Sequence, residues 1–333
     1  MGVAGLLTRI GIGQAGLSGP HRKIGNYRLL SLLGRGGMGE VWLGRELSSG
    51  ALRAIKVVRS EALADNTEHR RFCVERLQGE ARALGKLRSP NIVRIFDSGV
   101  TGSGAFYYAM EYLKGKTLDQ LLRSDGALDW EQAARLLRGI GTALAEVHAH
   151  GLIHCDVSPG NVFVCDEVGG TIAKLLDFGL VRTVHDTTMT TQTSLPRVAA
   201  GTPAYMAPEL VLGRPVIDHR TDIYSWACVA YSLLTSHAVF DGDSPIAIAL
   251  SHVTEEPLAP SRRTDRPIPA DLDALLLECL AKDAAARPAS MLDVLNRIDS
   301  IQRRELPMAF DDSVRLPPPD LAQQPPACDG PIA

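Results

Sequence analysis

The sequence predicts an α+β protein in which a small β-rich lobe precedes a larger helical lobe. From Tyr27 to about Met110 the pattern is typical of strands, interrupted by one amphipathic helix. After Leu118 the apolar residues recur with the spacing of helices. A short polar connector at residues 111–116 lies where the pattern changes. We therefore expect the two lobes to meet near residues 110–116.

In the first lobe, strands are expected at residues 27–33, 40–43, 52–58 and 105–110, with a helix over about 69–87. In the second lobe, helices are expected at residues 130–148, 222–235, 272–280 and 291–301. Segment 222–235 is apolar nearly all round, as is typical of a helix buried within a helical lobe. The implied organisation is a flexible extension at 1–23, a folded region at 24–302 and a proline-rich disordered tail at 303–333. The folded region divides into lobes at 24–109 and 117–302.

Composition excludes several function classes. The chain has 333 residues, of which 45% are hydrophobic and 22% charged, with a formal net charge of −3. This charge gives no reason to expect a nucleic-acid or acidic-membrane partner. No apolar stretch approaches the roughly 18 residues of a membrane-spanning helix. The 6 cysteines are scattered without a C-x-x-C pair, so reduced thiols in a cytoplasm are favoured over disulfides or a zinc site.

A glycine-rich segment lies between the first two expected strands. It runs from Leu33 to Val41 and spaces its glycines as G-x-G-x-x-G at Gly34, Gly36 and Gly39. Glycines let backbone amides approach phosphate oxygens where a Cβ would intrude. Such a pattern also occurs in dinucleotide sites and in plain turns. Here a strand follows it, whereas a dinucleotide site needs a helix, so we favour a phosphate-binding hairpin.

The third strand and the helix after it carry a candidate ion pair. Alternation along the strand places Lys56 on one face with Ala54, where a lysine could reach phosphates while the alanine packs on a base. In the helix, Glu80 falls on the apolar stripe, and a buried carboxylate needs a cationic partner. A surface Lys56 with a solvated Glu80 is the alternative. Glu75 is a second candidate partner for Lys56, although it lies off the stripe.

Two short acidic motifs follow in the second lobe. Asp156 and Asn161 fit H-x-D-x-x-x-x-N, in which the aspartate orients an acceptor hydroxyl and the asparagine holds a metal. Asp177 opens an Asp-Phe-Gly triplet whose carboxylate would bind Mg²⁺ that bridges phosphates. Each motif by itself could be an ordinary loop. Their order and separation argue against coincidence.

From about residue 24 to residue 301 the chain resembles the eukaryotic-like serine/threonine protein kinases, in particular their bacterial branch. Segment 201–209, Gly-Thr-Pro-Ala-Tyr-Met-Ala-Pro-Glu, is similar to the end of an activation segment. The resemblance implies that Thr202 contacts Asp156, that Asp222 supports the catalytic loop and that Arg287 pairs with Glu209. The fold it implies is the bilobal protein kinase fold.

The resemblance also implies an adenine pocket. Met110 is similar to the gatekeeper, and the hinge that reads adenine would be Glu111 to Leu113. The implied nucleotide-binding residues are Leu33, Gly34, Gly36, Gly39, Val41, Ala54, Lys56, Met110, Glu111, Leu113 and Phe163. A stacked spine between the lobes would comprise His154, Phe178, Leu84 and Ile95.

The implied activity is transfer of the γ-phosphoryl group of ATP, with Mg²⁺ or alternatively Mn²⁺, to Ser/Thr hydroxyls of protein substrates. Asp156, Lys56, Glu80 and Thr202 would be catalytic, and Asn161 with Asp177 would bind the metal. Two departures stand beside this reading. Cys155 replaces the usual arginine before Asp156, and Ser158 replaces the usual lysine after it. A nucleotide-binding pseudokinase is therefore one alternative, and a kinase of small molecules is another.

The activation segment is rich in threonine. Autophosphorylation is expected between residues 187 and 193, at one or more of Thr187, Thr188, Thr190, Thr191 and Thr193. The alternative is that these threonines only solvate a loop. A phosphothreonine normally pairs with the arginine that Cys155 replaces. We therefore expect activity to depend only weakly on this phosphorylation.

Overall fold

The computed structural model describes residues 23–36, 39–58, 78–79, 81, 83–102, 104–167, 170–176, 182–183 and 202–305. Within these residues a β-sheet lobe precedes a helical lobe. The expected α+β class is confirmed. Most of the expected N-terminal extension and C-terminal tail lies outside the described residues, although Lys23 already pairs with Arg28 and the last helix continues to Glu305.

The first lobe is a 6-stranded sheet in the order β1-β2-β3-β4-β6-β5. Every pairing in it is antiparallel. Ile55 is fully buried against Tyr27 and Tyr107 in one apolar cluster, and Val58 packs with Phe106 in another. Its strands are β1 (Lys23–Ile24), β2 (Tyr27–Gly36), β3 (Gly39–Glu46), β4 (Leu52–Val58), β5 (Ile95–Val100) and β6 (Phe106–Glu111).

The glycine-rich hairpin differs from the expectation. Strands ending at residue 33 and starting at residue 40 are wrong, because pairing continues to Gly36 opposite Gly39. A Cβ on Gly39 would collide with the carbonyl oxygen of Val57 in β4. Glycine at this position therefore lets β3 lie close against its neighbour. The described strands therefore extend through Gly36 and Gly39 of the phosphate-binding candidate.

The second lobe is built around α4 (Arg220–Thr235), whose residues from Thr221 to Thr235 are all buried. Trp226 donates its indole N–H to the carbonyl oxygen of Leu137 at 3.0 Å, which ties α4 to a neighbouring helix. The other described helices are α1 (Leu118–Asp125), α2 (Trp130–Ala149), α3 (Pro208–Val211), α5 (Pro245–Thr254), α6 (Ala270–Cys279) and α7 (Met291–Glu305).

The four helices expected in this lobe are present with small shifts at their ends. The sequence reading missed α1, α3 and α5, which are short. Helix α1 begins at a capping box in which Thr117 accepts the N–H of Gln120 and Gln120 accepts that of Thr117. Helix α5 is capped by Ser244, with Pro245 in its first turn.

Short strands line the junction between the lobes. They are β7 (Lys116–Thr117), β8 (Leu152–Ile153), β9 (Val162–Glu167), β10 (Gly170–Leu175) and β11 (Arg182–Thr183). The loop before β5 also crosses to the helical lobe, because the N–H groups of Arg88 and Ser89 each donate to the carboxylate of Glu146 at 2.7 Å. The helical residues 78–79, 81 and 83–84 lead directly into this loop. Among the described helices, none has the length and hydropathy needed to cross a bilayer.

Because α4 is the buried axis of the second lobe, we predict that Trp226→Ala lowers the free energy of unfolding by about 3–5 kcal/mol. The substitution opens a cavity and leaves the Leu137 carbonyl without its donor. Leu292→Ala is the control, since Leu292 in α7 is 61% exposed and should change stability little. Urea unfolding of the three proteins measures the difference. Equal losses in the two variants would contradict the assignment of α4 as the main support.

Candidate active site

One buried carboxylate organises the candidate catalytic loop. Asp222 in the first turn of α4 accepts the N–H groups of His154 and Cys155, each at 2.8 Å, and His148 Nε2 lies 2.8 Å from its Oδ2. Burial alone would raise the pKa of Asp222, but the hydrogen bond and positive charge of His148 outweigh burial and lower it. The expectation that Asp222 supports this loop is confirmed.

The backbone that Asp222 holds is strained. Cys155 has a φ of 63°, in the left-handed region that a non-glycine residue rarely adopts. Such a conformation costs about 1–3 kcal/mol and persists only where surrounding contacts impose it. Its thiol is buried in an apolar cluster with Ile153, Leu210 and Ile217. The position where the resemblance implies a cation is therefore packed as part of a small core.

Asp156 and Asn161 are brought together at the loop. Asn161 Nδ2 donates to both the carbonyl oxygen and Oδ2 of Asp156, each at 2.8 Å. His154 Nε2 donates to the carbonyl of Leu176 at 3.0 Å, and its Nδ1 accepts the N–H of Asp156 at 3.3 Å. This network places a ring proton of His154 on Nε2. Asn161 thus fixes the Asp156 carboxylate, and His154 joins the loop to the end of β10.

The candidate phosphate-binding lysine lies inside the sheet lobe. Lys56 is only 2% exposed and faces Val41 on β3 and Tyr108 on β6 in the strand register. Its Nζ lies 5.7 Å from the centre of the Tyr108 ring. This burial excludes the alternative of a surface lysine. Since a buried ammonium requires compensation, Lys56 fits a site that receives negative charge.

The residues expected to enclose adenine lie on both lobes. Val41 and Ala54 from the sheet and Phe163 from β9 are buried, whereas Leu33 is partly exposed. Met110 and Leu113 are partly buried against the main core. Met110 pairs with Ala54 in the register of β4 and β6, and Glu111 ends β6. Strand β6 therefore includes the first two residues of the expected connector.

The expected end of the activation segment, of which the structure describes residues 202–209 and which is here called the substrate platform, is held by a second buried carboxylate. Arg287 donates to both oxygens of Glu209, at 2.7 and 2.8 Å, and Thr221 donates to Glu209 at 2.7 Å. Burial would raise the pKa of Glu209, but the hydrogen bonds and charge of Arg287 lower it below the ordinary value. The expected Arg287–Glu209 pair is confirmed. Thr202 is partly buried at the start of the 3-10 turn Pro203–Tyr205, and its contact with Asp156 stays a prediction.

Several expected site residues lie outside the described residues. They are Glu80 and its alternative Glu75, Asp177 and Phe178, and the candidate phosphothreonines Thr187, Thr188, Thr190, Thr191 and Thr193. Of the glycines, Gly34 and Gly36 lie in β2 and Gly39 lies in β3. No group of three His, Cys, Asp or Glu residues capable of holding a metal ion occurs in the part of the chain that the structure describes. Asn161 is the one expected metal ligand within it.

The sequence analysis did not predict three residues whose side chains make contacts between the lobes or with the catalytic loop. His148 supplies a side-chain donor to Asp222, Glu146 binds the loop before β5, and Lys174 pairs with Glu111. His148 and Glu146 lie in the last turn of α2, shortly before the catalytic loop. Nothing in their spacing along the sequence distinguishes them from other polar residues of the helix. A lysine among apolar residues, as in Ala173-Lys174-Leu175, was the one usable signal. It indicates a strand with a buried cation.

A two-lobed fold that combines the Asp156–Asn161 loop, the buried Lys56 and the segment anchored by Glu209 is typical of phosphotransferases. Comparison with known proteins identifies the family. The family model described as the protein kinase domain matches residues 27–297. The chain therefore belongs to the protein kinase domain family.

Two bacterial kinases illustrate the similarity to curated proteins. The chain is 37% identical over 295 residues, 87% of its length and 45% of the relative, to the serine/threonine-protein kinase PknB of Mycobacterium leprae. It is 36% identical over 266 residues, 79% of its length and 48% of the relative, to the serine/threonine-protein kinase pkn3 of Myxococcus xanthus. The chain thus spans less than half the length of these relatives. The resemblance to the bacterial branch of serine/threonine kinases is confirmed.

Since the Asp222 carboxylate is held ionised by three donors, we predict that Asp222→Asn costs about 3 kcal/mol of unfolding free energy at pH 7. The lowered pKa sets the pH dependence. The stabilisation is complete above the unfolded-state pKa of about 3.9 and is lost as pH falls through the lower, folded-state value. The difference between wild type and variant should therefore persist at pH 5 and shrink below about pH 4.

Urea unfolding at several pH values measures this difference. Asp265→Asn is the matched control, because Asp265 is exposed and its substitution should leave stability nearly unchanged. A wild-type advantage over Asp222→Asn that stays the same from neutral to strongly acidic pH would contradict the role of the ionised carboxylate.

Proposed function

We propose that the chain transfers the γ-phosphoryl group of ATP to serine or threonine hydroxyls of protein substrates. The observation that carries this proposal is the Asp156–Asn161 pair, fixed on a loop that the buried Asp222 holds. The names of the curated relatives support the same activity. The proposed kinase domain extends over residues 24–302, with the connector at 110–116 between its lobes.

The proposed mechanism relies on positioning and charge neutralisation, because in-line phosphoryl transfer passes through a loose transition state. Asp156 orients the acceptor hydroxyl toward the phosphorus and can take its proton. Lys56, paired with Glu80, binds the nucleotide phosphates beneath the glycine hairpin. Val41, Ala54 and Phe163 enclose the base. Thr202 positions Asp156 from the substrate side.

Asn161 fits a divalent cation. Its Oδ1 is buried and has no hydrogen-bond partner among the described residues, while its Nδ2 is fully engaged with Asp156. An amide oxygen is a hard ligand of the type that Mg²⁺ or Mn²⁺ prefers. Asn161 together with Asp177 would therefore hold the ion, with Mg²⁺ as the proposed metal. When bound, it neutralises charge on the phosphate oxygens.

The platform supports protein acceptors over small molecules. Segment 202–209 is anchored at its end by the Glu209–Arg287 pair. Residues Thr202 to Met206 at its other end are partly exposed. An extended peptide acceptor requires a fixed stretch of chain of this kind. We also propose a reducing compartment such as the cytoplasm, since Cys155, Cys165, Cys228 and Cys279 are buried free thiols.

We predict that Lys56→Met and Asp177→Asn each abolish transfer, with a loss beyond about a hundredfold, or ~2.7 kcal/mol of transition-state stabilisation. Lys56→Met removes a phosphate-binding charge but keeps the length of the buried stem. Asp177→Asn removes a carboxylate from the metal site. Transfer of radiolabel from ATP to a generic basic protein measures the activity.

Lys86→Met is the control for this experiment, because Lys86 is an exposed lysine of the same lobe and its variant should be fully active. Thermal unfolding verifies that each variant is folded. Near wild-type transfer by either site variant would overturn the residue assignment. A wild-type protein that binds ATP and transfers nothing would instead identify a pseudokinase.

We predict that the chain autophosphorylates between Thr187 and Thr193 and depends on this modification only weakly. The buried apolar packing of Cys155 offers no positive charge to a phosphothreonine, so the modification lacks its usual anchor beside Asp156. The measurement is kcat/KM on a peptide before and after complete dephosphorylation, with mass spectrometry to count phosphates. A loss beyond about a hundredfold, roughly 2.7 kcal/mol, would show that phosphorylation controls the enzyme after all.

A further inference from the structure

A partly buried ion pair lies at the end of β6, here called the hinge strand. Lys174 in β10 is 7% exposed, and its Nζ lies 3.2 and 3.4 Å from the two carboxylate oxygens of Glu111 at the end of β6. Glu111 belongs to the sheet lobe and Lys174 to a strand of the lobe junction. The pair therefore spans the two parts of the molecule that must be aligned around a nucleotide.

Glu111 is fixed from a second direction. Its Oε1 accepts the N–H of Arg94 at 2.9 Å, and its own N–H donates to the carbonyl of Arg94 at 2.9 Å. The loop that contains Arg94 is in turn bound to β10. Asn91 Nδ2 donates to the carbonyl of Ala173 at 2.8 Å, and Leu175 N–H donates to the carbonyl of Asn91 at 2.7 Å. The residues on both sides of Lys174 are thus held by the loop that holds Glu111.

Both members of the pair lie beside the proposed adenine pocket. Lys174 is the register partner of Phe163, the proposed floor of the pocket. Met110, which precedes Glu111, is the register partner of Ala54, the proposed roof. A shift of either strand by a fraction of an ångström would change the distance between floor and roof. The pair is placed to set the spacing that a planar base requires.

We propose that Lys174 is a positioning residue for the nucleotide, which acts through Glu111 to align the hinge strand with β9 and β10. This proposal rests on the proposed function, because it concerns the nucleotide site of that activity. Removal of either partner breaks this ion pair at a position only partly open to water, and we expect the hinge strand to shift in response. Adenine affinity should fall as a result, while the reacting groups at Asp156 stay in place.

A purely structural role makes a different prediction. If the pair only stabilised the fold, its loss would lower the melting temperature and the fraction of active protein, but the folded molecules would bind nucleotide normally. Calorimetry separates the two roles, because it measures the dissociation constant of ADP and, independently, the fraction of protein that binds ADP. It needs no phosphoryl transfer and no acceptor protein.

The experiment is a double-mutant cycle on ADP affinity with Lys174→Met and Glu111→Gln. Each single variant should raise the ADP dissociation constant about tenfold, or ~1.4 kcal/mol. The double variant should also lie near tenfold rather than a hundredfold, because the first substitution already removes the alignment that the pair provides and the second removes nothing further. In steady-state assays, KM for ATP should rise in each single variant while kcat at saturating ATP stays within about twofold.

Lys116→Met is the matched control. Lys116 also pairs with a carboxylate next to the connector, 2.9 Å from Asp125, but both side chains are over 40% exposed, at 41% and 49%. Its variant should bind ADP as the wild type does. Unchanged ADP affinity in Lys174→Met, or additive effects in the double variant, would overturn the inference. A wild-type chain that binds ADP but transfers no phosphate would refute the proposed function. The double-mutant cycle would still test the role of Lys174, because it measures only ADP binding.

Discussion

The carboxylate of Asp222 is the constraint on which the candidate site depends. It is fully buried at the start of the most deeply buried helix and accepts hydrogen bonds from two successive backbone N–H groups and from His148. Those bonds hold Cys155 in a left-handed conformation that its own side chain disfavours. The orientation of Asp156, the next residue, follows from that conformation. The buried carboxylate of Asp222 thus fixes the partly exposed carboxylate of Asp156.

Two other carboxylates in the molecule are also held by several hydrogen-bond donors. Glu209 is held by Arg287 and Thr221 at the end of the substrate platform, and Glu111 is held by Lys174 and the Arg94 N–H beside the hinge. In each case several donors offset the cost of removing a carboxylate from water. An ion pair satisfied in this way tolerates few alternative geometries. These carboxylates position chain segments that apolar packing alone would leave free to slide.

The loop at residues 88–94 carries alignment from one lobe to the other. Glu146 on α2 binds its first residues, and Asn91 binds β10 within the lobe junction. The described helical residues 78–79, 81 and 83–84 lead directly into this loop. The position of that helix in the sheet lobe is therefore tied to the helical lobe. Departures at Cys155 and Ser158 leave these contacts intact, since neither residue takes part in the hydrogen bonds that join loop 88–94 to Glu146 and β10.

The sequence by itself indicated the class of fold and the order of the lobes, and its resemblance to a known family gave the residues expected at the candidate site. It could do so because hydrophobic periodicity reports burial, and because motifs such as Asp156 with Asn161 have short, fixed spacings. It misjudged the glycine hairpin, since strand pairing through Gly36 and Gly39 depends on the neighbouring strand β4. Only the tertiary structure revealed His148, Glu146 and Lys174 as partners, because each bonds to residues more than 50 positions away, at separations of 74, 57–58 and 63. Contacts at such distances along the chain are decided by how helices and strands pack, and no local pattern encodes them.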